Sequence, residues 1–254
     1  MENKALRRFF VEEIKEKEGV CSIKGSEAKH ITTVLRMKTG DRFVLMDGKG
    51  ARFQVVIQSA QPREVRGFLE KPIPKPRPSP VKIILCQSLL KSRQMDYVIQ
   101  KTSELGVDQI LPFSSERTVV MLKRERLSSK KRHWREVAQS AAKQSDRDIP
   151  AGLGHLCSFK ELMGKWQRQD CLKVILWEDE GSKDLKGVLR SSPSAAAFAG
   201  IVGPEGGFAQ EEIEVARYAG FIPVSLGNRI LRSETAAITM VAIVQYELGD
   251  LSFF

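Results

Sequence analysis

The stretch "AAAFAGIVGPEGGFAQEEIEVARYAGFIPVSLG", residues 195–227, decides the fold class. It begins with an apolar run typical of a buried strand and then crosses a loop with glycines at 203, 206 and 207. It continues as a helix with acidic residues in its first turn and ends in a second apolar run. This order of elements predicts two parallel strands joined by a helix.

The same alternation extends along the chain on both sides of this stretch. Further strands are predicted at "VKIILCQ", "VDQILPF" and "CLKVILWE", and further helices at "SRQMDYVIQKTSELG", "SSKKRHWREVAQSAAKQS" and "SETAAITMVAIVQYEL". We expect Ser233 to act as the cap of the last helix. The pattern predicts an α/β domain over residues 81–254, in which helices cover both faces of a parallel sheet.

A proline-rich stretch marks the boundary of this domain. Residues 71–80, "KPIPKPRPSP", carry a proline at every second position, which favours an extended linker. Before the linker, "DRFVLMDGKGARFQVVIQSA" predicts two strands joined by a turn at "DGKG". We therefore expect a small β-rich domain over residues 1–70.

Composition and charge narrow the class of protein. The chain has a net charge of +10, but residues 1–150 carry +13 and residues 151–254 carry −3. This asymmetry favours a surface that meets nucleic-acid phosphates. We expect no membrane span and no signal peptide, because the apolar runs are short and the N-terminus is charged. The four widely spaced cysteines argue against a metal site and fit a reducing cytoplasm.

Three loops follow predicted strands and are candidates for a binding site, because ligands of open parallel sheets bind at the carboxyl ends of strands. The loop "GPEGGF", residues 203–208, lacks the spacing of a phosphate-binding loop, and Glu205 would repel a phosphate. The acidic loop "WEDEG", residues 177–181, compounds that objection. A ligand that is uncharged or cationic at these two loops fits better, although the glycines could also serve only as turns.

The third loop, "LGNRILRSETAA" at 226–237, places two arginines at a helix start, where the helix dipole is unfavourable to cations. Together with "GPEGGF", it resembles the SPOUT-class RNA methyltransferases, and more closely the ribosomal RNA small-subunit methyltransferase E family. The similarity extends through "RRFF", "HITTVLRMKTGD", "QKTSELGVDQILPF", "ERTVV" and "AKQSDRDIP". It covers nearly the whole chain.

The resemblance implies a SPOUT domain with a deep trefoil knot, preceded by a PUA-like β-barrel that binds RNA. It implies S-adenosylmethionine as cofactor, an obligate homodimer, and methylation of N3 of a uridine in 16S ribosomal RNA of the small subunit. The cofactor-binding residues that it implies are Trp177, Glu178, Val202, Gly203, Pro204, Glu205, Gly206, Gly207, Leu226, Gly227, Ile230, Leu231 and Arg232. Asn228 and Ser233 depart from the family pattern, where proline and threonine are usual.

The residues agree with this chemistry. Carboxylates such as Glu205 stabilise a positively charged sulfonium, and Gly206 is expected to let the backbone approach it. Removing the proton from uridine N3 places negative charge on O2 and O4, which an arginine can stabilise. Arg232 is the candidate catalytic residue. The alternative is that Arg232 only binds a phosphate or the carboxylate of the cofactor.

Two groups of basic residues are candidates for RNA contact. Residues 117–135 hold eight Lys and Arg against one acid, and the small domain carries a second group. Either group could instead be a solvated face, but the net charge favours RNA. The candidate RNA-binding residues are Arg7, Arg8, Arg36, Lys38, Arg117, Lys123, Arg124, Arg126 and Arg229.

Two other functions stay open on the sequence alone. The chain could be a non-catalytic RNA-binding factor of ribosome assembly that has kept the fold. It could also be a related SPOUT enzyme that acts on a ribose 2′-hydroxyl or on tRNA. The intact "GPEGG" and "RILRSETAA" loops favour an enzyme with a bound cofactor.

Overall fold

A computed structural model of the chain describes residues 6–11, 13–75, 77–167 and 169–252, except for the side chain of Arg124. The chain forms two compact units. The first unit combines Met1–Arg77 with Ala142–Pro150. The second unit combines Pro78–Ala141 with Ala151–Phe254.

The first unit is built on a five-stranded sheet in the order β1-β3-β4-β5-β2. Its elements are β1 (Arg7–Phe10), β2 (Val20–Lys24), α1 (Gly25–Lys29), β3 (Arg42–Met46), β4 (Arg52–Gln61) and β5 (Glu64–Pro72). Strands β3 and β4 pair antiparallel, which confirms the hairpin predicted around the "DGKG" turn. The β1–β3 pair is parallel, and the other pairs are antiparallel.

The segment Ala142–Pro150 is held in the first unit by ion pairs. Arg52, with only 6% of its side chain exposed, contacts Asp146 at 2.6 Å and Asp148 at 2.9 Å. Arg8 contacts the same Asp146 at 2.5 Å. Burial raises the pKa of Asp148, and this effect outweighs the attraction of the Arg52 guanidinium. These pairs connect "AKQSDRDIP" to strands β1 and β4.

The second unit alternates strands and helices, as the sequence predicts. Its elements are β6 (Lys82–Ser88), α2 (Ser92–Glu104), β7 (Gln109–Ser114), α3 (Arg124–Gln144, of which the last three residues belong to the first unit), β8 (Gly152–Leu153), β9 (Cys157–Ser158), α4 (Phe159–Trp166), β10 (Leu172–Leu176), α5 (Leu185–Arg190), β11 (Ala197–Val202), α6 (Gln210–Tyr218), β12 (Ile222–Val224) and α7 (Ser233–Leu248). The short elements β8, β9, α4 and α5 were not predicted.

The strands of the second unit form one sheet in the order β12-β10-β11-β6-β7-β8, with β9 also paired to β7. Every strand pair in this sheet is parallel, which confirms the predicted parallel sheet. The strands β12, β10, β11 and β6 therefore end side by side at one edge, and the loops that follow them lie together.

Helices cover both faces of this sheet. Phe198 of β11 belongs to a buried cluster that includes residues of α2 and α7. Its neighbours Ala199 and Ile201 belong to a second cluster with residues of α4 and α6. Successive residues of one strand point to opposite faces of the sheet, as the period of a β-strand requires.

Among the described residues, no helix has the length and apolar character needed to cross a membrane. The four cysteines are free thiols. Within the same part of the chain, His, Cys, Asp and Glu side chains form no group of three or more that could hold a metal ion.

Candidate functional site

A cavity of about 700 Å³ opens at the carboxyl ends of β6, β10, β11 and β12. Four loops and the start of α7 form its walls. The lining residues are Lys91, Gln94, Leu176, Trp177, Glu178, Glu180, Gly181, Val202, Gly203, Pro204, Glu205, Gly207, Phe208, Val224, Ser225, Leu226, Gly227, Asn228, Arg229, Ile230, Leu231, Arg232, Ser233, Glu234 and Ala236. All predicted cofactor-binding residues except Gly206 are among them.

The glycine loop after β11 is anchored by Phe208. Its buried ring stacks on Phe113 at 6.4 Å between ring centroids and contacts Phe159 at 5.6 Å. A Cβ at Gly203 would lie only 2.9 Å from the Phe208 ring, so any larger residue at 203 would displace the loop. Gly207 has a φ of +68°, which favours glycine. These two glycines let the backbone form one wall of the cavity.

Gly206 differs from the expectation. A Cβ at this position would lie 3.3 Å from Cβ of Arg117, on the loop after β7. The Arg117 guanidinium also donates a hydrogen bond of 3.2 Å to the Gly206 carbonyl oxygen. A side chain at 206 would therefore point at Arg117, and the contact of Gly206 with a cofactor stays a prediction.

Ser233 does not cap α7, so that prediction was wrong. Arg232 occupies the cap position with extended backbone angles, and Ser233 is the first helical residue. The Ser233 hydroxyl donates to the Gly203 carbonyl oxygen at 2.5 Å and accepts from the Gln87 amide at 3.1 Å. Through these two bonds the hydroxyl connects the start of α7 to the ends of β11 and β6. Gly203 and Gln87 are both buried.

Glu212 braces the loops from the other side. This buried residue of α6 accepts hydrogen bonds from the backbone N–H of Ala209 at 3.1 Å and of Glu116 at 3.0 Å. Its carboxylate therefore connects the glycine loop to the loop that carries Arg117. The glycine loop is held at both ends, at Gly203 by Ser233 and at Ala209 by Glu212.

The acidic loop after β10 places two carboxylates at the cavity. A Cβ at Gly207 would lie 3.0 Å from the Glu178 carboxylate, which shows how closely Glu178 approaches the glycine loop. Glu180 accepts a hydrogen bond from Ser182, which lowers its pKa, and lies 3.7 Å from Arg217. The Arg217 guanidinium lies 5.8 Å from the ring centroid of Trp177, within the range of a cation–π contact.

The loop after β12 forms the opposite, more exposed part of the lining. Gly227 has a φ of +98°, which a turn requires here. Ile230 is 87% exposed, and Arg229 is also exposed. Arg232 lines the cavity and forms no ion pair with any carboxylate that the structure describes. Asn228, the departure from the family pattern, lines the cavity as well.

Lys91 and Gln94 are lining residues that the sequence analysis missed. Lys91 is the cap residue of α2, and Gln94 lies in its first turn. Their position in the sequence, directly after the predicted strand β6, could have identified them. The carboxyl end of β6 lies at the same edge of the sheet as the ends of β10, β11 and β12. Only the loops after β10, β11 and β12 were considered.

The predicted RNA-binding residues lie in both units. In the first unit Arg7, Arg36 and Lys38 are exposed, whereas Arg8 is paired with Asp146. In the second unit Arg117, Lys123, Arg126 and Arg229 are exposed. The side chain of Arg124 lies outside the described residues. RNA contact by this set stays a prediction.

The cavity fits the S-adenosylmethionine that the sequence resemblance implies. Its volume lies within the range of small-molecule and cofactor sites. Glu178 and Glu205 provide negative charge for a sulfonium, and Gly203 and Gly207 place backbone in the wall of the cavity. The site suits a cationic ligand held partly by backbone groups.

Comparison with protein-family models gives two matches. An RNA methyltransferase domain matches residues 77–245, and an RNA methyltransferase PUA domain matches residues 23–70. Together they span most of the chain.

Individual relatives agree with these matches. The ribosomal RNA small subunit methyltransferase E of Bacillus subtilis is 29% identical, over 95% of this chain and 97% of that protein. A methyltransferase structure from Legionella pneumophila, in complex with bound SAM, is 31% identical with a TM-score of 0.88, over 97% of this chain and 99% of that one. The Neisseria gonorrhoeae ribosomal RNA small subunit methyltransferase E, bound to S-adenosyl methionine, is 28% identical with a TM-score of 0.85, over 97% and 100%.

Proposed function

The chain belongs to the ribosomal RNA small subunit methyltransferase E family of RNA methyltransferases, and on this basis we propose that it methylates N3 of one uridine in 16S ribosomal RNA, with S-adenosylmethionine as donor. The cavity at the four strand ends carries this proposal. It combines a glycine-built wall, carboxylates and an arginine without a described carboxylate partner in one site.

The loops after β10, β11 and β12 would hold the cofactor. S-adenosylmethionine supplies a methyl group on a positively charged sulfur. Glu178 and Glu205 would offset that charge, and residues 203–205, 207 and 226–231 would hold the rest of the molecule, partly through backbone groups. The tie between Ser233 and Gly203 keeps the glycine loop in place. Trp177, next to Arg217, shapes the apolar part of the lining.

Arg232 is the residue that we assign to the transfer step. Arg232 lines the cavity, and its guanidinium has no described carboxylate partner, so its charge is available to a ligand. Loss of the N3 proton leaves negative charge on the two carbonyl oxygens of uracil. A fixed cation lowers the free energy of that anion and so favours attack by N3 on the methyl group.

The exposed basic residues of both units would contact the RNA backbone. Neutralised phosphates release counterions, which supplies affinity without reading the sequence. The target base then has to leave its neighbours and enter the cavity. A ribosomal RNA substrate also implies that the protein acts in the cytoplasm.

The test uses small ribosomal subunits from a strain that lacks the corresponding gene. We expect the purified protein with S-adenosylmethionine to produce 3-methyluridine, detected by mass spectrometry of the nucleosides, and Arg232→Met to lower the rate. A 2′-O-methylated product would instead identify a ribose-modifying enzyme. Absence of S-adenosylmethionine binding in calorimetry would identify a non-catalytic assembly factor.

The homodimer and the trefoil knot stay predictions. Tyr246 of α7 and Tyr97 of α2 are exposed at 61% and 48%, and Ile230 at the mouth of the cavity is exposed at 87%. A second copy of the chain that covers such side chains would gain apolar burial. Sedimentation that finds only a 28.5 kDa monomer at micromolar concentration would contradict the dimer.

A further inference from the structure

The start of α2 forms one wall of the cavity. Lys91 and Gln94 both line this wall. The Lys91 side chain is exposed, and no described carboxylate lies within ion-pair distance of its ammonium group. Lys91 therefore places a positive charge at this wall that no described carboxylate neutralises.

The backbone of α2 adds positive character to the same wall. Lys91, the cap residue of this 13-residue helix, makes no side-chain cap bond to the first turn, and the first turn contains no acidic residue. In contrast, Ser158 and Asp184 cap α4 and α5 through their side chains, and Glu212 closes the first turn of α6. The partial positive charge at the start of α2 thus faces a cavity lined by Lys91 and Gln94.

A buried hydrogen bond brings this wall next to the start of α7. Gln87, near the end of β6, donates to the Ser233 hydroxyl at 3.1 Å, and both side chains are buried. Lys91 follows Gln87 by four residues, and Arg232 immediately precedes Ser233. Each of the two helix starts therefore contributes one basic residue to the lining of the same cavity.

We propose that Lys91 is a catalytic residue, and that its ammonium group stabilises negative charge on one carbonyl oxygen of the target uracil during methyl transfer. In this step the N3 proton leaves to water, the N3–CH3 bond forms and the S–CH3 bond breaks. The donor leaves as neutral S-adenosylhomocysteine. The uracil anion carries charge on two oxygens, and Lys91 and Arg232 provide two cations.

Gln94 lies beside Lys91 in the same wall. Its side-chain amide offers both a donor and an acceptor, and one turn of helix separates it from Lys91. An amide of this kind can donate to a carbonyl oxygen of uracil. The inference rests on the proposed function, since a ribose hydroxyl as substrate would need a base rather than a pair of cations.

The test compares Lys91→Met, Lys91→Arg and the control Lys82→Met, which changes an exposed lysine at the other end of β6. The substrates are small subunits assembled with 16S RNA transcribed from uridine or 5-fluorouridine triphosphate. Fluorine makes the N3 proton more acidic, so the anion needs less help from the protein. Single-turnover rates are measured at saturating RNA and cofactor, and calorimetry gives the affinity for S-adenosylmethionine without RNA.

We expect Lys91→Met to lower the single-turnover rate on uridine about 100-fold, the loss typical of one removed charge-stabilising donor, with both binding affinities within about twofold of wild type. The loss should be at least tenfold smaller on 5-fluorouridine. Lys91→Arg should retain much of the rate, and Lys82→Met should behave as wild type.

Three results would overturn the assignment. A normal saturating rate with weaker, less salt-dependent RNA binding would make Lys91 a phosphate contact. Weaker binding of S-adenosylmethionine would make it a cofactor contact. An equal loss on uridine and 5-fluorouridine would give it a structural role. If wild-type protein forms no 3-methyluridine on mass spectrometry, the proposed function fails, and the assignment fails with it.

Discussion

The Ser233 hydroxyl donates a 2.5 Å hydrogen bond to the carbonyl oxygen of Gly203, and both residues are buried at the carboxyl edge of the sheet. The same hydroxyl accepts from the Gln87 amide. One side chain therefore connects the ends of β6 and β11 with the first turn of α7. The glycine loop and the arginine-bearing loop are fixed relative to each other through this contact.

We expect Ser233→Ala to weaken binding of S-adenosylmethionine. It leaves the Gly203 carbonyl oxygen without this donor, while the Gln87 amide keeps only the Ser88 carbonyl oxygen, so the glycine loop can leave its position. Re-ordering the loop when the cofactor binds then costs about 1–2 kcal/mol, or roughly 5- to 30-fold in affinity. Ser233→Thr keeps the hydroxyl and should bind normally, and exposed Ser194→Ala is the control. Calorimetry measures all three. Wild-type affinity in Ser233→Ala would show that the glycine loop keeps its position without the hydrogen bond from Ser233.

The two glycines at 203 and 206 should respond differently to alanine. A Cβ at Gly203 would lie 2.9 Å from the buried Phe208 ring, so Gly203→Ala should shift the loop and weaken cofactor binding at least tenfold. A Cβ at Gly206 meets Cβ of Arg117 at 3.3 Å, a contact that a shift of a few tenths of an ångström relieves, so Gly206→Ala should bind the cofactor within a few-fold of wild type. Calorimetric titration of both variants decides the order, and the reverse order would contradict it.

The sheet could be predicted from the sequence because each long strand is an apolar run and the helices α2 and α3 are amphipathic. "VKIILCQ", "CLKVILWE" and "AAAFAGIV" became β6, β10 and β11. The short helix α4 was missed although its capping box, Ser158 with Glu161, is visible as S-x-x-E. Its eight residues contain only about two helical turns, too few for the apolar repeat to be distinguished from the neighbouring loops.

The site could be predicted less completely, because the sequence shows neither the direction in which a side chain points nor which distant segments come into contact. Sequence places Gly206 in the loop, but only the backbone shows that its side-chain position faces Arg117. Ser233 was predicted as a cap because capping depends on local spacing, yet a long-range partner at Gly203 takes its hydroxyl. Lys91 joins the cavity because β6 lies beside β11, and this pairing connects segments more than 100 residues apart.

The raised pKa of Asp148 predicts a pH dependence of stability. Burial disfavours its charged form, so the folded state binds this proton more tightly than the unfolded state. Its contribution to stability is fully present below the ordinary value of 3.8 and is lost as pH rises through the folded pKa. The free energy of unfolding of wild type should therefore increase relative to Asp148→Asn as pH falls from 7 towards 4. Urea titrations across this range, with exposed Asp170→Asn as control, measure it, and a pH-independent difference would contradict the shift.

Charge reversal in the basic segment 117–135 should weaken the contacts of the protein with the phosphate backbone of the RNA. We expect the combined variant Lys123→Glu, Arg126→Glu and Arg132→Glu to flatten the salt dependence of RNA affinity by about one unit of slope for each phosphate that the protein no longer neutralises. The three side chains are exposed, so the fold should survive. Lys160→Glu with Lys165→Glu on α4 reverses charge elsewhere and is the control. An unchanged slope in the first variant would identify the segment as a solvated face.

Glu205→Gln should show whether Glu205 contributes to cofactor affinity through its negative charge. Glu205 is exposed at the cavity, and the substitution keeps its size while removing its charge. S-adenosylmethionine carries a positive sulfur and its product does not, so the variant should lose affinity for the donor but hardly for the product. A charge pair at about 4 Å in a water-exposed site is worth about 1 kcal/mol, or roughly fivefold. The ratio of the two calorimetric dissociation constants is the readout, and Glu211→Gln on the exposed face of α6 should leave it unchanged. Equal weakening of donor and product would mean that Glu205 braces the loop instead of meeting the sulfonium.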